Sequence, residues 1–360
     1  MDGIRLNSVS ARFRHQVKGD IAAVRDVSLD VAPGELMTLL GPSGCGKTTT
    51  LRMIAGFQQP SAGEIWIGER NVTEIEANRR NIGFVFQNYA LFPHLSVFEN
   101  VAYGLKVQRM DGAAVRSAVT EVLALVGLAS YEKQMPHQLS GGEQQRVALA
   151  RAIVIKPRVL LFDEPLSNLD AKLRTQMRAE IRSLQRRLGI TAVYVTHDQE
   201  EAMAISDRIA VMNKGVIEQV GTAEQLYRGP ASVFVARFIG RSNLVDATVT
   251  AVSAGRVALT IAGRPHDIVG ADPRFPAGTA VLANVRPEAI AIGPPGDGIA
   301  GTVRARTYLG EKTEYEVEVA GRMLQVVRFN PPPAERYGPD DAVSVRLPHE
   351  GVQLLAREEP

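Results

Sequence analysis

The segment GPSGCGKT, residues 41–48, decides how the rest of the chain is interpreted. It follows a short apolar run at residues 35–40 and precedes TTTLRMIAGF, in which Leu51 and Ile54 have helical spacing. The pattern G-x-x-x-x-G-K-[ST] needs its glycines because backbone N–H groups must turn toward phosphate oxygens, where a side chain would block them. The sequence therefore predicts a strand, a phosphate-binding loop and a helix, in that order.

The loop residues are predicted to hold a nucleoside triphosphate. Lys47 would place its charge on the β- and γ-phosphates, and the Thr48 hydroxyl would serve Mg²⁺. The N-terminus of the following helix adds positive potential. This motif gives the predicted ATP-binding residues Gly41, Pro42, Ser43, Gly44, Cys45, Gly46, Lys47, Thr48 and Thr49.

A second motif, VLLFDE at residues 159–164, ends an apolar run in two acids. A buried parallel strand presents such carboxylates at its C-terminal end, where ligands bind in open α/β sheets. Asp163 could then hold Mg²⁺ through water, and Glu164 could orient and deprotonate the attacking water. Alone, such a run is more often structural, but its position after the glycine loop makes it the expected partner of that loop.

The segment LSGGEQQRVALARA, residues 139–152, lies between these motifs. Ser140 and Glu143 have the spacing of a capping box, so a helix is predicted to start at Ser140. Gly141 and Gly142 leave its first N–H groups open to an anion. On local grounds a well-capped helix without a ligand is an equally good interpretation.

Length and composition narrow the class of protein. The 360 residues leave room for two or three domains, and 41 basic against 39 acidic residues give a net charge of +2, which favours neither nucleic acid nor an anionic membrane as partner. The one cysteine cannot close an intrachain disulfide, and the six histidines have no zinc-ligand spacing. The N-terminal MDGIRLNS is unlike a signal peptide and no run of about 18 apolar residues occurs, so a cytosolic location is expected.

Proline and lysine usage divides the chain near residue 240. Residues 241–360 contain 12 of the 20 prolines and one lysine, Lys312. Before this point β-branched runs alternate with helical patterns, such as the apolar spacing between Asp170 and Gly189, whereas short alternating runs follow it at 247–252, 257–261, 280–285, 315–319 and 342–347. We expect an α/β P-loop NTPase domain over residues 1–240 and a small all-β domain over residues 241–360.

The combination of motifs resembles the ATP-binding subunit of an ABC importer, of the branch that handles polyamines, ferric iron, sugars and related solutes. The motifs stand in family order: the Walker A loop GPSGCGKT, Gln87 of the Q-loop in FVFQNYALFPH, the signature LSGGE, the Walker B strand LLFDEP, the D-loop at 167–170 and the switch histidine His197 in YVTHDQEEA. The resemblance implies an ABC-type fold with a helical subdomain. The tail resembles an OB-like, TOBE-type regulatory module, with NVRPEAI at 284–290 as its most characteristic piece.

The resemblance implies a nucleotide site shared by two copies stacked head to tail, with ATP between the glycine loop of one and Ser140, Gly141 and Gly142 of the other. A γ-phosphate needs charge compensation from both sides, which a second copy would supply. Phe13 in VSARFRH is the best match to the adenine-stacking aromatic, although residues 15–20 look like a short insertion and an ordinary core aromatic is the alternative. Carried over from the family, the catalytic residues are Glu164, His197 and Lys47, the metal ligands Thr48, Gln87 and Asp163, and the further nucleotide contacts Phe13, Gln87 and Asp170.

The resemblance also implies partners. Two integral-membrane permease subunits would dock between Asn88 and His94, a periplasmic or extracellular solute-binding protein would act indirectly, and the subunit would lie on the cytoplasmic face of the bacterial inner membrane. We expect no nucleic-acid partner, because the basic helix face at 172–187 is interpreted as solvated. A polyamine such as putrescine or spermidine is the favoured solute, with ferric iron, phosphonate or sugar as alternatives. A soluble ABC ATPase acting on nucleic acid or ribosomes is the rival class.

Overall fold

The structure, a computed structural model, describes residues 2–15, 19–253, 255–270 and 274–357. The chain divides into two compact units, residues 1–223 and 224–360. The sequence predicts a domain boundary at residue 240, whereas the two structural units meet between residues 223 and 224. Residues 224–240, which the sequence assigns to the first domain, therefore belong with the second unit.

The first unit alternates strands and helices, as expected for an α/β domain. Its strands are β1 (Ile4–His15), β2 (Gly19–Val31), β3 (Leu36–Leu40), β4 (Ala62–Ile67), β5 (Arg70–Asn71), β6 (Ile82–Val85), β7 (Val159–Asp163), β8 (Thr191–Thr196), β9 (Arg208–Asn213) and β10 (Val216–Gly221). Its helices are α1 (Lys47–Ala55), α2 (Val97–Val107), α3 (Gly112–Leu125), α4 (Gly141–Ile153), α5 (Ala171–Leu188) and α6 (Gln199–Ile205). Among the described residues, no helix combines the length and apolar character needed to cross a bilayer.

A six-stranded sheet of order β10-β9-β3-β8-β7-β6 forms the centre of this unit. Strands β9, β3, β8, β7 and β6 are parallel, and β10 pairs antiparallel with β9 at one edge. The register sets Leu40 beside Thr196 and Asp163 beside Val195. Four segments therefore leave the sheet at the carboxyl ends of its parallel strands, which is called the carboxyl edge below. They are the phosphate-binding loop, the Walker B acids, the switch histidine and the Q-loop.

The sheet separates two hydrophobic cores, because successive side chains of a strand point to opposite faces. Leu36 and Leu160 pack on one face in a core with residues of helices α2 to α5. Met37 and Leu161 pack on the other face with helix α1 and with the antiparallel sheet β2-β1-β4-β5. Two buried faces explain why the central strands appear in sequence as continuous apolar runs.

Helix α5 confirms the sequence prediction for residues 170–189. Asp170 caps its N-terminus by accepting the N–H of Leu173 at 2.9 Å, and Gly189 ends it with φ of 62°. Met177, Ile181 and Leu184 are the buried apolar residues of the stripe. Periodicity and end signals agree here, so the helix could be located from sequence to within a residue.

The second unit is rich in antiparallel β-structure, as the sequence predicted for this part of the chain. Two five-stranded sheets, of order β13-β12-β11-β14-β20 and β15-β19-β16-β17-β18, share one apolar core. Their strands are β11 (Asn243–Ser253), β12 (Arg256–Ile261), β13 (Arg264–Val269), β14 (Ala280–Val285), β15 (Ala291–Gly293), β16 (Ile299–Tyr308), β17 (Lys312–Val319), β18 (Arg322–Phe329), β19 (Ala342–Arg346) and β20 (Gln353–Ala356). Helix α7 (Ala223–Arg228) begins at the boundary between the units, and α8 (Val233–Phe238) follows it.

Arg286 of the NVRPEAI segment holds the residues around α7 and α8 against the β-structure. Its guanidinium lies 4.0 Å from the ring centroid of Tyr227 and donates to the carbonyls of Tyr227, Ala236, Ile239 and Arg241. Ala236 also packs with Leu355 of β20. These contacts explain why residues 224–240 belong with the second unit.

Candidate nucleotide-binding site

The phosphate-binding loop turns where backbone segments approach closely. Gly46, the N-cap of α1, has φ of 105°, and a Cβ there would lie 2.5 Å from the carbonyl oxygen of Ala23. A Cβ at Gly41 would lie 2.3 Å from the carbonyl oxygen of Met212. Both contacts are too short for any side chain, so packing of the loop requires glycine at these two positions.

The Lys47 side chain folds back over this loop. Its Nζ donates to the carbonyls of Gly41 at 2.7 Å and Pro42 at 3.1 Å, and the residue is buried. The ammonium group therefore lies within the turn that is predicted to surround the phosphates. The Cys45 sulfur lies 3.9 Å from Nζ, and burial raises the pKa of its thiol despite this neighbouring charge. Cys45 is accordingly a packing residue of the loop rather than a reactive thiolate.

Arg80 fixes the far end of the helix that begins at Lys47. It is almost fully buried and donates to the carbonyls of Met53 at 2.8 Å and Ile54 at 2.9 Å. Desolvation lowers the pKa of its guanidinium to about 10, so it remains charged at neutral pH. These bonds add a side-chain donor to the last turn, where the Met53 carbonyl also accepts the N–H of Gly56 at 3.2 Å.

Thr48 and Asp163 come together although 115 positions separate them in sequence. The Thr48 hydroxyl donates to Asp163 Oδ1 at 3.1 Å. Asp163 is the last residue of β7, and burial raises the pKa of its carboxyl group. A hydroxyl and a carboxylate side by side supply the hard oxygen ligands that Mg²⁺ prefers.

Glu164 and His197 form a second pair next to the first. His197 Nδ1 lies 3.2 Å from Glu164 Oε2, and the histidine side chain is exposed. Glu164 has the left-handed φ of 44°, and its N–H donates to the carbonyl of Val195 at 3.1 Å. The turn after β7 is thus bonded to β8, which holds the two side chains together.

A buried network lies beneath His197. Glu201 is almost fully buried, and it accepts hydrogen bonds from the hydroxyl of Tyr194 and, at 2.5 Å, from that of Thr196. The Thr196 oxygen in turn accepts the N–H of Asp198 at 3.0 Å. These bonds fix the backbone on both sides of His197, and burial raises the pKa of Glu201.

Arg174 connects the D-loop to the turn that carries the switch histidine. It donates to the carbonyl of Leu169 at 3.1 Å and to Asp198 Oδ2 at 3.4 Å. Asp170, an expected nucleotide contact, uses its carboxylate within this chain to cap α5. The carbonyl of Gln87 accepts from Asn168 at 3.1 Å, so the Q-loop also contacts the D-loop.

The predicted helix start at Ser140 is confirmed. Ser140 and Glu143 form the reciprocal capping box at the start of α4, with Glu143 Oε2 accepting the N–H of Ser140 at 2.7 Å. A Cβ at Gly141 would lie 3.1 Å from Leu169, and one at Gly142 would lie 3.1 Å from the Leu173 side chain. These two glycines therefore allow tight packing against the D-loop and α5, and Gly142 is itself buried.

Phe13 lies on β1, with its side chain 39% exposed. It pairs with Ile21 of β2, two positions from Ala23, whose carbonyl lies against Gly46. An exposed aromatic ring therefore occupies the strand pair that borders the glycine loop. The apparent insertion at 15–20 includes the last residue of β1 and the first two of β2, and residues 16–18 lie outside the described residues.

Sequence reasoning missed the side chains that position these loops, namely Arg80, Arg151, Arg174, Asn168 and Glu201. The spacing of Asp198 and Glu201 does signal a helix start, and Asp198 caps α6. That signal does not say that the glutamate is buried. Arginines that donate to carbonyls of distant loops leave no local pattern at all.

Comparisons with known proteins give matches in both units of the chain. Family models for the ABC transporter and the TOBE domain match residues 24–167 and 283–355. Fe(3+) ions import ATP-binding protein FbpC 1 of Rhizobium meliloti is 48% identical over 96% of this chain and 98% of its own length. Spermidine/putrescine import ATP-binding protein PotA of Rubrobacter xylanophilus is 49% identical over 95% of this chain and 90% of its own length. The bacterial ABC transporter cassette MJ0796, solved as a dimer, has 34% identity and a TM-score of 0.55 over 61% of this chain and 98% of that one.

The chain therefore belongs to the import ATP-binding proteins of the ABC transporter family. It is an ABC-type ATPase with a C-terminal TOBE domain, which confirms the fold class and the resemblance predicted from its motifs.

The buried Glu201 gives the stability of the protein a specific pH dependence. Because burial raises the pKa of this carboxyl group above its ordinary value of 4.5, the folded chain holds the proton more tightly than the unfolded chain. The contribution of Glu201 to stability is therefore complete below pH 4.5 and is lost as the pH rises through the raised pKa. Glutamine cannot ionise, so urea unfolding should show Glu201→Gln gaining stability relative to wild type across this window.

The exposed neighbour Glu200 supplies the control, since Glu200→Gln should follow the wild-type pH curve. Parallel curves for wild type and Glu201→Gln would show that Glu201 carries no buried, perturbed proton.

Proposed function

We propose that this subunit hydrolyses ATP at the carboxyl edge of its parallel sheet and thereby drives import of a cationic solute through separate membrane subunits. Fe(3+) is the first candidate solute, because relatives from Rhizobium, Agrobacterium and Brucella at 48–49% identity are Fe(3+) import proteins. A polyamine, which the sequence favoured, is the second candidate, supported by the relative from Rubrobacter xylanophilus at 49% identity.

The Glu164–His197 pair beside Thr48 and Asp163 carries the catalytic part of the proposal. The Glu164 carboxylate would orient the attacking water and accept its proton. The hydrogen bond between His197 Nδ1 and Glu164 would hold the imidazole ring in place for a contact with a γ-phosphate oxygen. Lys47 would leave the loop carbonyls for the β- and γ-phosphates, which offer its ammonium group charged acceptors.

Mg²⁺ fits the residues that the sheet brings together. Thr48 Oγ1 and Asp163 Oδ1 are 3.1 Å apart, and Mg²⁺ is bound in nucleotide sites by one or two protein oxygens together with phosphates and waters. Thr48 would ligate the ion directly and Asp163 through water, with Gln87 as a further ligand. The bound ion neutralises charge on the phosphate oxygens.

The subunit would work as a homodimer on the cytoplasmic face of the membrane. Ser140, Gly141 and Gly142 form a helix N-terminus that an anion can approach, and the related cassette was solved as a dimer.

For the permease subunits, docking between Asn88 and His94 is supported by exposed aromatic surface nearby in sequence and structure. Tyr103, 46% exposed, lies 4.6 Å from Phe92 between ring centroids.

The rival function on nucleic acid requires a free basic surface, and two of the six basic residues on this face of helix α5 are paired with acidic residues of the chain. Arg174 bonds to Leu169 and Asp198, Arg182 pairs with Asp207, and Arg178 donates to Thr175. Arginines paired within the chain are poor contacts for a phosphate backbone. We therefore interpret this face of helix α5 as solvated and prefer the importer function to one on nucleic acid.

Replacing Glu164 tests the hydrolytic mechanism. Glu164→Gln keeps the shape of the side chain but cannot accept a proton, so turnover should fall by at least about 100-fold while ATP still binds. The variant should accumulate as an ATP-bound dimer, measurable by size-exclusion chromatography and nucleotide retention. Glu121→Gln, at an exposed position of α3, is the control and should hydrolyse normally. Near-normal hydrolysis by Glu164→Gln would remove Glu164 from the mechanism.

The solute is tested in membranes that contain the complete transporter. With its permease and binding-protein partners in liposomes, ATPase activity should rise on addition of Fe(3+) loaded on the binding protein, and not with spermidine or a sugar. Stimulation by spermidine alone would make the polyamine the solute. No stimulation by either would contradict the cationic-solute proposal.

A further inference from the structure

Residues 88–94, called the docking segment below, and the preceding Gln87 are held in place by side chains from elsewhere in the first unit. Asn168 of the D-loop donates to the carbonyl of Gln87 at 3.1 Å. Arg151 of helix α4 donates to the carbonyls of Tyr89 at 2.7 Å and Ala90 at 2.6 Å. The position of the docking segment therefore depends on helix α4 as well as on the residues of the segment itself.

The backbone that Arg151 holds is strained. Tyr89 and Ala90 have φ of 62° and 47°, a left-handed conformation that costs energy for residues with a Cβ. The N–H of Ala90 donates to the carbonyl of Asn88 at 2.6 Å, which closes a very tight turn. Such a turn persists only when its surroundings hold it. The two donors of the Arg151 fork reach the carbonyls of the two strained residues.

Arg151 lies in the last turn of α4, whose first residues are the signature Gly141 and Gly142. Its guanidinium also lies 5.6 Å from the ring centroid of Phe92, within the docking segment. The contact of the segment with α4 thus combines two charge-assisted hydrogen bonds with a cation–π interaction. A planar fork makes both hydrogen bonds at once, which a lysine cannot do.

Tyr89, in the same segment, extends its side chain toward the N-terminal end of helix α4. Its side chain is buried, and a Cβ at Gly141 would lie 3.9 Å from the Tyr89 hydroxyl oxygen. The segment is therefore bonded to α4 at its C-terminal end through Arg151, and the Tyr89 hydroxyl lies close to the start of the helix at Gly141. The docking segment thus approaches helix α4 at two places about 15 Å apart along the helix, and Arg151 makes the hydrogen bonds at one of them.

We propose that Arg151 is a coupling residue, which makes the docking segment move as one body with the signature helix. The proposal rests on the proposed function, in which the signature helix closes on ATP and the docking segment contacts the permease. Arg151 touches neither nucleotide nor reacting atoms, so it positions the segment rather than taking part in hydrolysis.

Variants at Arg151 separate coupling from hydrolysis. Arg151→Gln should leave the ATPase rate of the isolated subunit within about twofold of wild type, while uptake and solute-stimulated ATPase of the complete transporter fall about tenfold. Arg151→Lys should be intermediate, since its ammonium group is a point charge without the planar fork. Arg146→Gln is the matched control, because Arg146 lies on the same helix but pairs with Glu180 at 2.6 Å and has no bond to the docking segment.

Hydrogen exchange measures the contact itself and needs only the isolated subunit. Amides at residues 89–92 should exchange faster in Arg151→Gln than in wild type or Arg146→Gln. Unchanged exchange there with normal uptake would overturn the proposal, and so would an equal uptake defect in Arg146→Gln. Loss of ATPase activity in folded, isolated Arg151→Lys would also overturn it, by giving Arg151 a role in hydrolysis.

Failure of the proposed function would look different. A wild-type transporter that hydrolysed ATP without importing any solute would contradict the importer proposal. The exchange comparison between Arg151→Gln and Arg146→Gln would still decide whether Arg151 holds the docking segment.

Discussion

The parallel pairing of β3, β8, β7 and β6 is the constraint on which the rest of this structure depends. Parallel strands present their carboxyl ends at one edge, and here the register sets Leu40 beside Thr196 and Asp163 beside Val195. Motifs from four distant parts of the sequence leave the sheet at that edge. The Thr48–Asp163 and Glu164–His197 contacts are direct consequences of this register.

Arginines then fix the loops that leave this edge and the elements around them. Arg80 bonds to the end of α1, Arg151 to the docking segment, and Arg174 to the D-loop, each by donating to backbone carbonyls. A guanidinium has five donors and no acceptor, which suits it to joining chain segments that expose several carbonyls. Removing such a partly or fully buried group takes a donor from those carbonyls, and each buried acceptor that is left without a partner costs about 1–3 kcal/mol.

Much of this site was predictable because its residues form local patterns. GPSGCGKT, the apolar run before Asp163 and the stripe of helix α5 are each defined by a few neighbouring positions, and the structure bears out the elements they predict. Arg151 and Glu201 were not predictable, because their partners are set by tertiary packing. The assignment of residues 224–240 to the second unit had the same cause, since it depends on Arg286 some 50 positions later. The solute has no signal in these motifs, which concern only the nucleotide.

Binding of Mn²⁺ in place of Mg²⁺ tests whether Thr48 and Asp163 form one metal–nucleotide site at the carboxyl ends of the parallel strands, because the EPR spectrum of Mn²⁺ reports its binding. Titration of Mn²⁺ into the subunit with a non-hydrolysable ATP analogue should give a tightly bound signal in wild type and in the surface control Thr175→Val. Thr48→Val and Asp163→Asn should each lose that signal while remaining folded. Undiminished Mn²⁺ binding by both variants would show that Thr48 and Asp163 do not form the metal site.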